Sequence, residues 1–253
     1  MAELLWWQYG LIGLIFIWSG FVRTGLGFGG AVLSLPFLLL IIDDPLIFLP
    51  IISIHLLIFS SWISLKGLRK SGGHSRVDWV YLVKSLKVMI IPKIIGVLGL
   101  LTLSNEVMSA IILLIVSVYS VGYILNRPFR SSRPWMDNLF LILGGYVSGT
   151  SLIAAPLVIS VFSTHVERAK LRDTLFVLWF ILVTIKMASF ILAGVDLQLE
   201  AQLWLFPCAL IGHFLGQLLH NYLLNTDAVK FYRVLGAVLL VISLVGIGRT
   251  LLG

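Results

Sequence analysis

The chain has 253 residues, 59% of them hydrophobic and only 11% charged. Soluble domains carry roughly 25% charged residues, so this composition excludes one and defines a polytopic membrane protein. The net charge of +7 is read as loop orientation in a bilayer, with no nucleic-acid partner implied.

In chain order, apolar runs cover 5–22, 26–42, 46–65, 79–101, 107–125, 138–162, 174–194, 202–221 and 231–252. Spanning takes roughly 20 apolar residues. Most runs therefore read as single helices, and the expected fold is all-α with about 8–10 transmembrane or half-spanning helices. No Lys or Arg precedes the first run, so it lacks the basic start of a cleaved signal peptide and is expected to stay as a span. The single cysteine, Cys208, excludes an intrachain disulfide.

Two runs are interrupted. Between Gly20 and Pro36 stand Arg23, Thr24, Gly25, Gly27, Gly29 and Gly30. Between Gly144 and Pro156 stand Gly145, Ser148, Gly149, Thr150 and Ser151. Broken backbone inside a bilayer is tolerated only where protein or a watery cavity covers it. Both stretches thus read as discontinuous helices lining a site, as in transporters. A plainer role for the glycines is tight helix packing.

Loop charge sets the expected topology. Loops 66–78, 126–137 and 163–173 are rich in Lys and Arg and read as cytoplasmic. Loops 43–45, 102–106 and 195–201 have none and read as external, as does the N-terminus. The segment between 126–137 and 163–173 must then enter and return, as two half-helices or a re-entrant hairpin. The charge bias swaps sign between residues 1–125 and 138–253, joined by the basic linker 126–137. That swap is the pattern of an inverted-topology repeat, against a parallel duplication with noisy loops. Trp6, Trp7, Trp62, Trp79, Trp135 and Trp204 fall near span ends, as an interfacial aromatic belt does.

All eleven acids lie at span ends or in loops. Among the bases, Lys84, Lys87, Lys93 and Lys186 fall within spans, the last two near the middle. A charge at mid-bilayer costs at least ~2.5 kcal/mol, so such a residue is a functional candidate by default. Buried cations without buried carboxylates suit an anion brought from outside the protein. Lys84 and Lys87 read as snorkelling from a span end. For Lys93 the structural alternative is a neutral amine bonded to carbonyls freed near Pro92, for Lys186 it is snorkelling or a subunit partner, and for Arg23 the plainer role is a topology signal. Helix N-termini at the two breaks would add backbone donors. Thr24, Ser148, Thr150 and Ser151 would add hydroxyls, and Gly25, Gly27, Gly29, Gly30 and Gly149 would shape the breaks. His55 and His213 are proton-coupling candidates, with hydrogen bonding inside the bundle as the plainer role. No metal site, cofactor or catalytic residue is expected.

The run Gly20-Phe21-Val22-Arg23-Thr24-Gly25-Leu26-Gly27-Phe28-Gly29-Gly30, followed by Pro36, resembles the repeat signature of the sulfite exporter TauE/SafE family, also called the toluene sulfonate uptake permease family. The elements Pro92–Gly96 and Pro207–Gly212 resemble that family's later helices, while Leu152–Ala155 replaces the usual glycine run of the second repeat. The resemblance implies transport of sulfite, a sulfonate or a related small anion across the prokaryotic cytoplasmic membrane. The expected function is a secondary-active carrier, an exporter, working by alternating access around a midplane site. The alternatives are an anion channel, or an intramembrane serine protease using Ser148 and His213, whose surroundings loosely resemble rhomboid elements. A homo-oligomer is left open.

Overall fold

The computed structural model describes residues 4–26, 30–70, 77–126, 133–224 and 229–252. Ten helices follow one another: α1 (Trp6–Leu26), α2 (Gly30–Ile41), α3 (Pro45–Lys70), α4 (Trp79–Thr102), α5 (Asn105–Ile124), α6 (Pro134–Thr150), α7 (Ala155–His165), α8 (Arg168–Leu192), α9 (Leu199–Leu224) and α10 (Val229–Leu252). No strand occurs among the described residues. Six of the helices hold segments long and apolar enough to cross a membrane: α3, α4, α5, α8, α9 and α10. The protein is an all-α, polytopic membrane protein, as the composition requires.

The interrupted runs become short helices. α2 has 12 residues and α7 has 11. At 1.5 Å per residue they reach roughly 16–18 Å, about half of a bilayer core. The run 138–162 divides where expected, between Thr150 and Ala155. α6 starts earlier than the apolar run suggests, at Pro134, because a proline at the first helical position fits the fixed φ it brings.

α7 then runs back along α6. Ser151 ends α6, and Leu152 turns the chain with a left-handed φ of 61°. Gly144 of α6 lies against Val158 and Leu157 of α7. His165, in the last turn of α7, bonds Asp137, in the first turn of α6, at 2.8 Å. The two free ends of the hairpin are thus tied together, which is the enter-and-return path inferred from loop charge. α2 folds back on α1 in the same way: the Trp18 indole donates to Leu33 O at 3.1 Å, and Ser34 donates to Ser19 at 3.4 Å.

The helices group into two compact units. One takes residues 1–51, 103–128 and 196–253, the other 52–102 and 129–195. Each unit therefore draws on both halves of the sequence. In the first, α1 packs along α9, and α10 along α5. In the second, α4 packs along α6, with α7 and α8 beside them.

The α4–α6 and α1–α9 pairings depend on glycine. A Cβ added at Gly149 would fall on the carbonyl oxygen of Lys93, and one at Gly96 on that of Tyr146. In the first unit a Cβ at Gly20 would fall on Ala209 O, and one at Gly212 on Ile17 O. Helix association in lipid lacks a hydrophobic drive and relies on such close backbone approach. Each of these four glycines admits a neighbouring helix backbone.

The outward faces are apolar. On α4, Val80, Ile91, Ile94, Ile95 and Leu98 are exposed while Leu82, Met89 and Val97 are buried. Trp6, Trp7, Trp62, Trp79 and Trp135 are exposed near helix ends; Trp204 is half-buried, edge-on to Tyr9.

Candidate functional site

The buried stripe of α4 includes Ser85, Met89, Lys93 and Gly96, spaced at helical intervals. Lys93 is 0% exposed although its neighbours Ile94 and Ile95 face outward. On α8 the buried stripe passes through Leu182, Lys186 and Phe190, and Lys186 is also 0% exposed. Helical periodicity therefore points both ammonium groups into the second unit. Lys84 and Lys87, on the outer faces of α4, are exposed, as snorkelling requires.

Both buried lysines meet the C-terminal end of α6. A helix leaves its last four carbonyls without intrahelical partners. Here three of them find partners. Val147 O accepts from Ser151 N at 2.9 Å and from the Thr150 and Ser151 hydroxyls at 3.1 Å each. Ser148 O accepts from Lys93 Nζ at 3.2 Å. Gly149 O accepts from Lys186 Nζ at 2.7 Å. The Ser148 hydroxyl also accepts from Lys93, at 3.3 Å, and donates to Gly145 O at 2.8 Å. Lys186 Nζ lies 5.6 Å from the centroid of the Phe190 ring, a cation–π distance.

Two lysine amino groups thus hold neighbouring carbonyls, where the helix dipole puts partial negative charge. Neither has a carboxylate partner among the described residues. An ammonium has three N–H donors. In the described contacts Lys93 uses two and Lys186 one, so donor capacity is left over beside a backbone break. A desolvated anion is the kind of partner that could use it.

Of the candidates read from sequence, Lys93, Lys186, Ser148, Gly149, Thr150 and Ser151 come together here. Two details differ from expectation. The lysines engage the carbonyl end of α6, where N-terminal helix ends had been expected to supply the polar groups. The carbonyls around Lys93 come from α6, not from its own helix near Pro92, because α4 and α6 approach closely enough at Gly96 and Gly149 for the side chain to reach across. Thr150 and Ser151 are fully buried, and their hydroxyls are spent on Val147 O.

The remaining candidates in the α1–α2 region lie in the first unit. Arg23 is buried in the last turn of α1, and Gly25 is buried beside it. Thr24 Oγ1 is 2.7 Å from His213 Nδ1 of α9. Gly30 opens α2, and its carbonyl accepts from the hydroxyls of Ser19 and Ser34. Gly27 and Gly29 lie outside the described residues. His55 is buried on α3, in the part belonging to the second unit. Ser148 is engaged by Lys93 and Gly145, and His213 by Thr24, so each half of the Ser–His reading has another partner.

Sequence reading missed Phe190 and the role of Leu152. A leucine with left-handed φ is strained by about 1–2 kcal/mol. The signal was present in the departure from a glycine run at Leu152–Ala155.

Among the described residues, helices alone, six of them of membrane length, together with paired half-helices, define a multi-pass membrane protein of the kind built around broken helices. The family follows from comparison. The model of the sulfite exporter TauE/SafE family matches residues 12–246, and the chain belongs to that family of membrane transporters. No curated protein and no solved structure matches the chain.

Proposed function

We propose that the protein is a secondary-active carrier that exports a small sulfur-containing oxyanion, such as sulfite or an organosulfonate, across the cytoplasmic membrane. The observation that carries this reading is the pair of fully buried lysines at the broken end of α6, without a carboxylate partner among the described residues. Family membership supplies the substrate class. Lys93 and Lys186 are the electrostatic anchors, and Ser148 and the α6–α7 break shape the site. Arg23, Thr24 and the α1–α2 break are the corresponding elements of the first unit. His213, bonded to Thr24, and the buried His55 are candidates for carrying a coupled proton.

The proposed mechanism is alternating access between two inverted repeats, residues 1–125 and 138–253, joined by the linker 126–137. A recurrence supports the repeat. Ser19-Gly20 of α1 packs on α9 near Gly212, and Ser148-Gly149 of α6 packs on α4 near Gly96. Under this correspondence α1 matches α6 and α9 matches α4. In the predicted orientation the N-terminus is external. Cysteines replacing Ser104 and Asp196 are expected to react with an impermeant thiol reagent added outside intact cells, and those replacing Gly72 and Arg168 only after permeabilisation. Labelling of all four from one side would overturn the topology.

The functional test is sulfite flux in proteoliposomes, with and without an imposed pH gradient, against empty liposomes. Saturable flux that sulfonates inhibit is the expected result. Flux that rises linearly with concentration without saturating would favour a channel. No flux of sulfite, sulfonate, thiosulfate or sulfate from well-folded protein would overturn the substrate class.

A further inference from the structure

Lys93 and Lys186 stand close together in the interior of the second unit. Both are 0% exposed. They donate to consecutive carbonyls of one helix end, Lys93 to Ser148 O at 3.2 Å and Lys186 to Gly149 O at 2.7 Å. Consecutive residues are about 3.8 Å apart at Cα, so the two nitrogens lie within roughly 10 Å of each other. At an effective interior dielectric of about 20, two like charges that close disfavour each other by about tenfold or more in an equilibrium constant.

Little around the pair offsets two positive charges. On α4, Tyr81, Lys84 and Lys87 lie toward the helix start, and both of those lysines face outward. On α6, Asp137 is in the first turn, at the far end from Ser148, where His165 of α7 holds it at 2.8 Å. On α8, Arg168, Lys170, Arg172 and Asp173 are at the helix start, away from Lys186. Tyr146 of α6 and the buried His55 of α3 are the titratable groups further in, and neither is a carboxylate. What remains is the carbonyl end of α6, equivalent to about half a negative charge, and the Phe190 ring 5.6 Å from Lys186 Nζ. These suffice for one cation and fall short of two. Buried like charges without a counterion resolve this by giving up a proton.

We propose that Lys93 and Lys186 together are the proton-coupling group of the carrier: the empty site holds one ammonium and one amine, and each anion that binds brings in one proton. The amine nitrogen takes that proton from water through its lone pair, and the anion then lies between two ammonium groups. The proposal rests on the reading of this pair as the anion site. It gives the anchors themselves the role for which His213 and His55 are the other candidates. It also separates two classes of cargo. A divalent oxyanion loaded with one proton keeps a net negative charge, so an inside-negative potential favours its export. A monovalent sulfonate loaded in the same way moves as a neutral species, and its flux is insensitive to potential.

The test counts protons and needs no flux. Purified protein in detergent, near neutral pH, is titrated with methanesulfonate, an anion with no proton of its own to give or take there. Calorimetry in two buffers of different ionisation heat yields the protons taken up per anion bound. About one is expected, with the apparent affinity falling by about tenfold per unit rise in pH where the pair titrates. Lys93→Met and Lys186→Met each leave a single lysine with no like-charged neighbour, so uptake is expected to fall toward zero in both, with weaker binding. Uptake is expected to persist in His55→Gln and His213→Gln. Thermal unfolding establishes that each variant is folded. The wild-type protein alone gives the proton count, so a variant that binds too weakly to titrate does not hide the result. Binding without proton uptake, uptake undiminished in both lysine variants, or uptake lost in either histidine variant would overturn the proposal and leave the anion site standing. No binding of methanesulfonate, sulfite or sulfate by folded protein would overturn the anion site, and the proton link with it.

Discussion

Replacing Lys186 with methionine is expected to lower sulfite flux by about two orders of magnitude while the protein still folds. Methionine keeps most of the volume and removes the charge. Truncating one partner of a buried, hydrogen-bonded charge contact costs about 2–5 kcal/mol, and each 1.4 kcal/mol is tenfold. The competing account is that Lys186 only caps α6 through Gly149 O. Losing a cap leaves a buried carbonyl unpaired, at about 1–3 kcal/mol of stability, and flux would then fall only as far as the folded fraction does. Thermal unfolding in detergent, measured beside flux per folded molecule, separates the two. Lys93→Met sharpens the comparison, since both ammonium groups hold adjacent carbonyls of one helix end. Two anchors on one anion are expected to be strongly non-additive in flux in the double variant. Two independent caps would add in stability and show no coupling in flux. Flux unchanged in Lys186→Met would remove that lysine from the site.

Much of this arrangement was legible in the chain. Gly144, Gly145, Ser148, Gly149 and Pro156 mark the break that became the α6–α7 hairpin, because glycine and proline act locally on backbone conformation. Lys93 and Lys186 were legible as candidates, since each falls near the middle of an apolar span where a charge is costly. Their partners were not legible. Periodicity tells which face of a helix turns inward, and is silent on which neighbour meets it. The pairing of α4 with α6 is tertiary, so the meeting of Lys93 with Ser148 O, across 55 residues of sequence, could only be seen in the fold. Asp137 and His165 were missed for a related reason. As span-end charges they look like topology signals, and only the return of α7 along α6 brings them into contact. The glycines were legible as special, but which of them also admits a neighbouring backbone was not, because a glycine that opens a helix and one that allows close packing look alike in sequence.

Gly149→Ala is expected to do heavy damage through a single added methyl group. The added Cβ would fall on Lys93 O, with Gly96 Cα and Val97 N each 2.9 Å away. All three are backbone atoms, so no side chain can swing aside and α4 must move off α6. Overpacking alone costs about 1–3 kcal/mol. The shift also stretches the bonds from Lys93 Nζ to Ser148, already 3.2 and 3.3 Å long. A hydrogen bond to a charged group contributes about 1.5–3 kcal/mol, so the combined loss is up to about 6 kcal/mol. The expected result is a sharply lowered unfolding temperature in detergent and little or no flux at the growth temperature. Gly10→Ala and Gly248→Ala are the controls, since nothing lies within 4 Å of a Cβ at either. Both are in helices, where alanine is favoured over glycine by about 0.5–1 kcal/mol, so they should be neutral or slightly stabilising. Gly20→Ala tests the proposed repeat with the same readout. Its Cβ would fall on Ala209 O of α9, as that of Gly149 falls on Lys93 O of α4. If Gly20 and Gly149 serve equivalent positions, the two variants should lose similar stability. Flux per folded molecule should then fall further in Gly149→Ala, because only that position sits directly behind a buried ammonium. A Gly149→Ala variant that melts and transports like Gly10→Ala would mean that α4 and α6 do not need this approach, and would unseat the lysine site built on it.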